Sequence, residues 1–509
     1  MRRVTGWLLL LILIFTGKAG ANDIPEPVHR ALIQGKEALY HFRLQESRKI
    51  FHRLQEQYPQ LPHGYFYQAY VLMVYYSQDE TNDTLATHLM NLLDQAVDVG
   101  EAFREQHPEQ PEPYFYLGLA HGLKGIYYVI NRSYLKAYYY GRKGKNYLAR
   151  TVEMDSNYVD ALLGLGIFHY YVDLMPGILK IFAAVLGFEG DRTKGLAEIS
   201  RTMTRGTYFR VEAEFVYASL RYFMEGEVWD ALTHFEKLDK EYPENPGVKL
   251  VLGYHYRRYG EILPAIRQFQ RVSDKYKERL PEIYVIKYYN LAVCYFLQNQ
   301  YTEAEKTLEL LLKPGLRKSP FYLSAITYYK GVLAKMRMNE PLARKYFTGI
   351  PLNKHTGYWY HASRFYLAVP SDSLLYYYTS AENDIFTGNL ERAHQELEIM
   401  DRMIEQGKWQ PATLTFSLLV RDVHARFYFK QARFEQAAQI YREILPQISR
   451  ISDEFQRAWI YIRYARVLRF LKKWELAESM LEKARVSDEE YTRFMIEREL
   501  FIVHKHQKS

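Results

Sequence analysis

Ser133-Tyr134-Leu135-Lys136 sets a hydroxyl and an amine three residues apart, the spacing at which a lysine can activate a serine nucleophile. That chemistry needs a Ser-Asp-Asn or Lys-Thr-Gly partner to complete the site, and the sequence has neither. Gly141-Arg142-Lys143-Gly144-Lys145 holds the closing glycine and lysine of a phosphate loop. Tyr139, however, stands where the first glycine belongs, and Asn146 replaces the Ser or Thr that would meet magnesium. No His-Glu-x-x-His puts two zinc ligands on one helical face, and no Gly-x-Ser-x-Gly forms a nucleophile elbow. The 16 histidines are scattered: His88, His107 and His121 are far apart, and His504 and His506 sit on the terminal tail, so no metal-ligand spacing recurs. Gly164-Leu165-Gly166 lacks a third glycine and a preceding strand, which makes it close helix packing. The expectation is a chain that is not an enzyme and carries no cofactor or metal.

What remains is the chemistry of contact. The 47 tyrosines cluster at Tyr65-Phe66-Tyr67, Tyr138-Tyr139-Tyr140, Tyr358-Trp359-Tyr360 and Tyr376-Tyr377-Tyr378. On a helix, successive side chains point about 100° apart, so three aromatics in a row cannot all enter a core. Two readings follow: tyrosines that bridge helices with their hydroxyls at the surface, or a wet groove that stacks on peptide side chains or sugar rings.

The elements that would position these residues repeat. Gly226 and Gly260 lie 34 residues apart. Phe215, Ala218, Ser219 and Tyr222 precede the first glycine, and Ala231, Phe235, Leu238 and Pro243 follow it. Leu252, Gly253, Tyr256, Ala265, Phe269 and Val272 fall at matching offsets around the second. Weaker copies run from Ala31 to Pro59, from Tyr288 to Leu311 and from Gly331 to Ile350, and later ones centre on Ala393, Ala437 and Ala477. A 34-residue period with small and aromatic residues at these places resembles the tetratricopeptide superfamily. The resemblance implies an all-α fold, a right-handed α-solenoid of helical hairpins, each too thin to bury its apolar face without its neighbours.

The N-terminal third departs from this pattern with longer helices, expected at 64–77, 81–106, 111–128, 133–154 and 158–172. Asn131 and Asp155 stand where caps belong. Residues 174–188, from Leu174 to Phe188, then interrupt a hairpin with a run whose one charge is Lys180. It is too short to span a bilayer, so it reads either as a plug packed on the solenoid or as a contact with a membrane surface or lipid. After it, Gly190 supplies a turn and Asp191 caps the next helix. The run through Gly187-Phe188, Gly190-Asp191-Arg192 and Gly195-Leu196 resembles the eukaryotic tetratricopeptide-repeat 39 and inclusion-clearance family, whose members are cytosolic or organelle-associated adaptors.

Arg2 and Arg3, the apolar run Trp7 to Phe15 and Ala19-Gly20-Ala21 read as a signal peptide over 1–21, leaving Asn22 first in a periplasmic or secreted chain. Losing it removes three positive charges, Arg2, Arg3 and Lys18, from a formal +8. The remaining Lys and Arg are interspersed with Asp and Glu, so no nucleic-acid stripe is expected. The single cysteine, Cys294, falls in a helical pattern and reads as a small buried hydrophobe. The array divides into divergent repeats over 22–205, regular repeats over 206–350 and looser repeats over 351–509, with 357–370 an extra segment and a candidate seam.

In the resembled class, first helices line a concave face. Repeat phase then assigns a partner-binding groove to Val216, Leu220, Phe223, Leu250, Tyr254, Arg257, Tyr289, Val293 and Phe296, turning basic at Arg426, Arg466 and Arg469. The expected partner is a protein or peptide held by apolar and aromatic contacts on a noncatalytic envelope scaffold. The alternative is lipid or glycan handling, with peripheral membrane contact through 174–188 or through the tyrosines.

Overall fold

A helical hairpin needs one residue that reverses the chain, and here a left-handed residue does it. In the computed structural model, Phe42, Arg132, Gly226, Gly260, Asn299, Met338, Gly388, Ala432 and Lys472 all have φ between 55° and 85°. Each stands between the first and second helix of a pair. In eight of the nine the residue after it closes the turn by donating its amide to a carbonyl five residues back, as in Ser133 to Tyr128, Glu261 to Tyr256 and Gln300 to Tyr295, each at 2.9 Å, and after Gly226 the amide of Glu227 reaches six back to Arg221. Glycine takes the left-handed region freely, whereas other residues pay for it.

The structure describes residues 24–78, 80, 82–173, 190–353, 355–407 and 410–507. The leader and the apolar insert 174–188 therefore lie outside the described residues. Those described form 24 α-helices and no strand, and they divide into two units, one through Val251 and one from Leu252.

The first unit holds α1 (Glu26–Tyr40), α2 (Leu44–Gln57), α3 (His63–Gln78), α4 (Asp83–Gln106), α5 (Pro111–Ile130), α6 (Tyr134–Met154), α7 (Ala161–Asp173), α8 (Arg192–Arg205), α9 (Arg210–Leu220) and α10 (Val228–Glu241). Each packs on the next. Asp191 caps α8, accepting from the Lys194 amide at 2.8 Å as expected. Backbones nearly touch at the glycines: a Cβ on Gly166 would stand 2.7 Å from the Gly195 carbonyl oxygen, and one on Gly144 would stand 2.9 Å from that of Gly118. Buried Asp160 catches the chain between α8 and α9 by accepting from the amides of Thr207, Tyr208 and Phe209 at 2.8–3.1 Å.

The division falls inside α11 (Pro246–Arg258). After it come α12 (Ile262–Gln270), α13 (Pro281–Leu297), α14 (Tyr301–Glu309), α15 (Pro320–Met336), α16 (Glu340–Thr348), α17 (Gly357–Ala368), α18 (Ser373–Thr387), α19 (Leu390–Glu405), α20 (Leu414–Lys430), α21 (Phe434–Ile448), α22 (Glu454–Phe470), α23 (Trp474–Lys483) and α24 (Glu490–Gln507). Residues 357–370 are chiefly the single helix α17, which packs on α15, α16, α22 and α24. Cys294 is fully buried, and burial pushes its thiol up to about 12.

One contact recurs through the repeats. A small residue on the first helix faces an aromatic ring sixteen residues later on the second. A Cβ on Gly35, Gly253 or Gly331 would stand 2.5–2.6 Å from the ring of Phe51, Phe269 or Phe347. Real Cβ atoms do not come that close, so these positions have to stay small.

Candidate partner-binding cleft

The groove residues assigned from repeat phase separate into two groups. Val216, Leu220, Phe223, Leu250, Tyr289, Val293 and Phe296 are all buried. Their phase gave the packed side of the first helices, where neighbouring side chains cover them: Phe296 meets the rings of Tyr301 and Tyr329 at 5.6 and 5.3 Å, and Tyr289 meets Tyr322 at 5.3 Å. Such residues hold the repeats together and cannot line an open groove. Tyr254 and Arg257 remain half-buried, with the guanidinium 5.4 Å from the ring centre. Burial works against the Arg257 charge, and the ring of neighbours that opposes it includes Tyr289.

An open cleft does form farther along, within the second unit. Its lining comes from first helices in steady phase: Tyr378, Glu382 and Phe386 on α18; Arg426, Phe429 and Lys430 on α20; Phe455, Trp459, Arg463 and Arg466 on α22. Steps of three and four residues keep each set on one helical face. Tyr358 and Tyr366 of α17 and Tyr328 of α15 complete an aromatic wall, and the enclosed volume is about 530 Å³. Of the three basic residues expected at this end, Arg426 and Arg466 line the cleft, while Arg469 lies beside Glu499 at 3.6 Å.

The cleft charges are held in order by carboxylates. Arg426 pairs with Glu382. Arg463 donates to Asp422 at 2.9 Å, and the Tyr441 hydroxyl donates to the same oxygen at 2.8 Å. Asp422 is fully buried, and its second oxygen has no hydrogen-bond partner. Burial penalises the Arg426 cation, but Glu382 and Asp422 outweigh it and keep the charge in place. Arg466 donates to Glu499 at 2.8 Å, and Arg498 approaches the same carboxylate at 3.5 Å. Three guanidiniums therefore share Glu499; burial would raise this carboxyl, and the arginines hold it below the usual range instead.

One donor in the cleft is left over. The indole nitrogen of Trp459 is shielded from solvent and has no hydrogen-bond acceptor. A buried donor without an acceptor costs about 1–3 kcal/mol. Aromatic walls and fixed arginines suit an extended polypeptide with apolar and acidic side chains.

Among the described residues, no cluster of His, Cys, Asp and Glu could hold a metal ion, and no helix is long and apolar enough to cross a membrane. The Ser133 and Gly141 motifs are absorbed into α6 and its N-terminal cap.

Comparison with known proteins places the chain by its fold. Residues 159–347 match the family model Iml2/Tetratricopeptide repeat protein 39, and residues 415–486 match a tetratricopeptide repeat model. No curated protein matches the sequence. Among solved structures, yeast Tom70 is similar at 13% identity, covering 94% of this chain and 91% of that one, with a TM-score of 0.32. The Cut9–Hcn1 hetero-tetramer of the APC/C is similar at 13% identity, 94% and 90% coverage and a TM-score of 0.25. A tetratricopeptide repeat protein from Parabacteroides merdae is similar at 15% identity, over 58% of this chain and 98% of its own, with a TM-score of 0.24. The repeated hairpins and the two family matches agree: the chain is a tetratricopeptide-repeat superfamily protein with an Iml2/tetratricopeptide-repeat-39-like segment.

Proposed function

We propose that the chain is a noncatalytic interaction scaffold of the bacterial envelope and that its cleft between α17, α18, α20 and α22 holds an extended segment of a partner protein. The repeat fold supports a protein-binding role in general. The observation that carries the specific reading is an open cleft walled by Tyr328, Tyr358, Tyr366 and Tyr378 and lined by Arg426, Arg463 and Arg466, each held by a carboxylate. The envelope location rests on the leader pattern alone, Arg2-Arg3, Trp7 to Phe15 and Ala19-Gly20-Ala21. N-terminal sequencing of the exported chain should begin at Asn22.

A photo-crosslinking residue at Gln456, on the cleft wall, should capture a discrete partner in cells, and the same residue at exposed Leu263 should not. Trp459→Ala should abolish the Gln456 crosslink without loss of helicity. Equal crosslinking from both positions, or an unchanged crosslink in the folded Trp459→Ala protein, would place the partner elsewhere.

A further inference from the structure

Acidic residues make up 59 of the 509, yet from Pro113 to Val152 there are none, while the same stretch carries seven Lys or Arg. This stretch is nearly the whole of the α5–α6 hairpin. Its glycines fix the geometry: α6 turns Ala137, Gly144, Leu148 and Thr151 inward, and Gly125, Gly141, Gly118 and Gly144 bring the two backbones together. The opposite stripe of α6 runs Leu135, Tyr139, Arg142, Lys143, Asn146 and Arg150, and every one of these is exposed. Leu135 is 88% exposed, more than any other large apolar side chain among the described residues, and Tyr134 and Tyr139 beside it are about half exposed.

The charges on this face are arranged around aromatic rings. The Lys143 ammonium lies 5.1 Å from the Tyr139 ring centre, and that of Lys136 lies 5.3 Å from Tyr128. Acidic groups meet the hairpin at Lys124, which pairs with Asp94 of α4, at Tyr147, which donates to Glu101 of α4 at 2.5 Å, and at Arg150, 3.3 Å from Glu153.

We propose that this outer face of α6 docks on an anionic lipid bilayer. The charge excess complements acidic headgroups, and cations near such a surface gain attraction together. An exposed leucine flanked by tyrosines has the apolar body and polar tips that rest at the headgroup boundary, with Lys and Arg reaching the phosphates. The face is the convex side of one rigid helix, which meets a flat surface more readily than it encloses a peptide.

The test is flotation of the full chain with vesicles of three parts phosphatidylcholine to one part phosphatidylglycerol. Arg142→Gln/Lys143→Gln should weaken binding by at least about tenfold, since each charge near such a surface contributes roughly a factor of five. Leu135→Ser should weaken it as well, with unchanged melting because the side chain is exposed. The charge-matched control Arg344→Gln/Lys345→Gln, on α16, should bind as the unaltered chain does. Three results would each overturn the proposal: undiminished flotation of either α6 variant, equal loss in the control pair, or capture of soluble polyglutamate in preference to the vesicles.

Discussion

Replacing Gly253 with alanine tests whether the repeat requires a small residue or merely tolerates one. In most helices Gly→Ala is favourable by about 1 kcal/mol, because alanine orders the chain at lower entropic cost. At Gly253 the new Cβ would lie 2.6 Å from Cε1 of Phe269 and 2.8 Å from two further ring atoms. Phe269 is fully buried, so the ring cannot swing into solvent. Overpacking of this kind costs roughly 1–3 kcal/mol, which equals or exceeds the propensity gain. The expected net effect is a loss of about 1–2 kcal/mol at the upper part of that range. Gly122 in α5 is the contrast, since an added Cβ there meets nothing within 4 Å. Gly122→Ala should gain about 1 kcal/mol. Urea unfolding midpoints of the two variants should therefore move in opposite directions. Phe269→Leu makes room beside residue 253, so the double variant should lose less than the sum of its parts, by about 0.5–3 kcal/mol of coupling. If Gly253→Ala stabilises the protein as much as Gly122→Ala does, the contact does not constrain the repeat and this reasoning is wrong.

Two further outcomes are expected. Ala432 takes a left-handed turn position at φ 60°, so Ala432→Gly should stabilise by about 0.5–1 kcal/mol in the same assay, the relief of backbone strain exceeding the entropy glycine adds to the unfolded chain. Glu396 is pushed up to about 7, first by burial and also by the Asp384 carboxyl, against the pull of Ser380 and Arg392. Because the folded state holds this proton more tightly than the unfolded state, the stabilisation is complete below about pH 4.5 and is lost as pH rises through about 7, a change on the order of 3 kcal/mol. Glu396→Gln cannot ionise, so its stability relative to the unaltered protein should climb across that window. A difference that stays constant from pH 4.5 to 8 would refute the upward shift of Glu396.

The sequence exposed the fold more fully than the site, for a physical reason. Helix boundaries follow from local chemistry, and the long N-terminal helices fall within about three residues of where composition and caps put them. The three glycine turns, at Gly226, Gly260 and Gly388, were legible because only glycine adopts φ near 80° without cost; the turns at Phe42, Arg132, Met338, Ala432 and Lys472 were not, because those residue types carry no turn signal, and Asn299 carries only a weak one. Seven of the nine groove residues are packed, because phase reports which way a side chain points and not what covers it. Phe296 packs against Tyr329, more than thirty residues later, and is buried. Arg426 and Arg466 were visible as charges, but Arg463 gains its meaning from Asp422, 41 residues away, and Trp459 from its packing on Phe455 and Tyr491.

These cases separate what the repeat must keep from what it can vary. The left-handed turns step unevenly along the chain, 34 residues from Gly226 to Gly260, 39 from there to Asn299 and 50 from Met338 to Gly388. The small-to-aromatic offset does not move: Gly35 to Phe51, Gly253 to Phe269 and Gly331 to Phe347 are each sixteen residues. Loop length is forgiving because each doubling adds only about 0.6 kcal/mol of closure entropy, and a non-glycine residue at the turn costs about 1–2 kcal/mol. A side chain forced into a buried ring has no comparable escape, since the interior is already close-packed. In these three hairpins the inner offset is thus constant, while the period between hairpins stretches. That freedom lets α17 enter between two regular pairs and contribute Tyr358 and Tyr366 to the cleft wall, at no cost to the packing inside either pair.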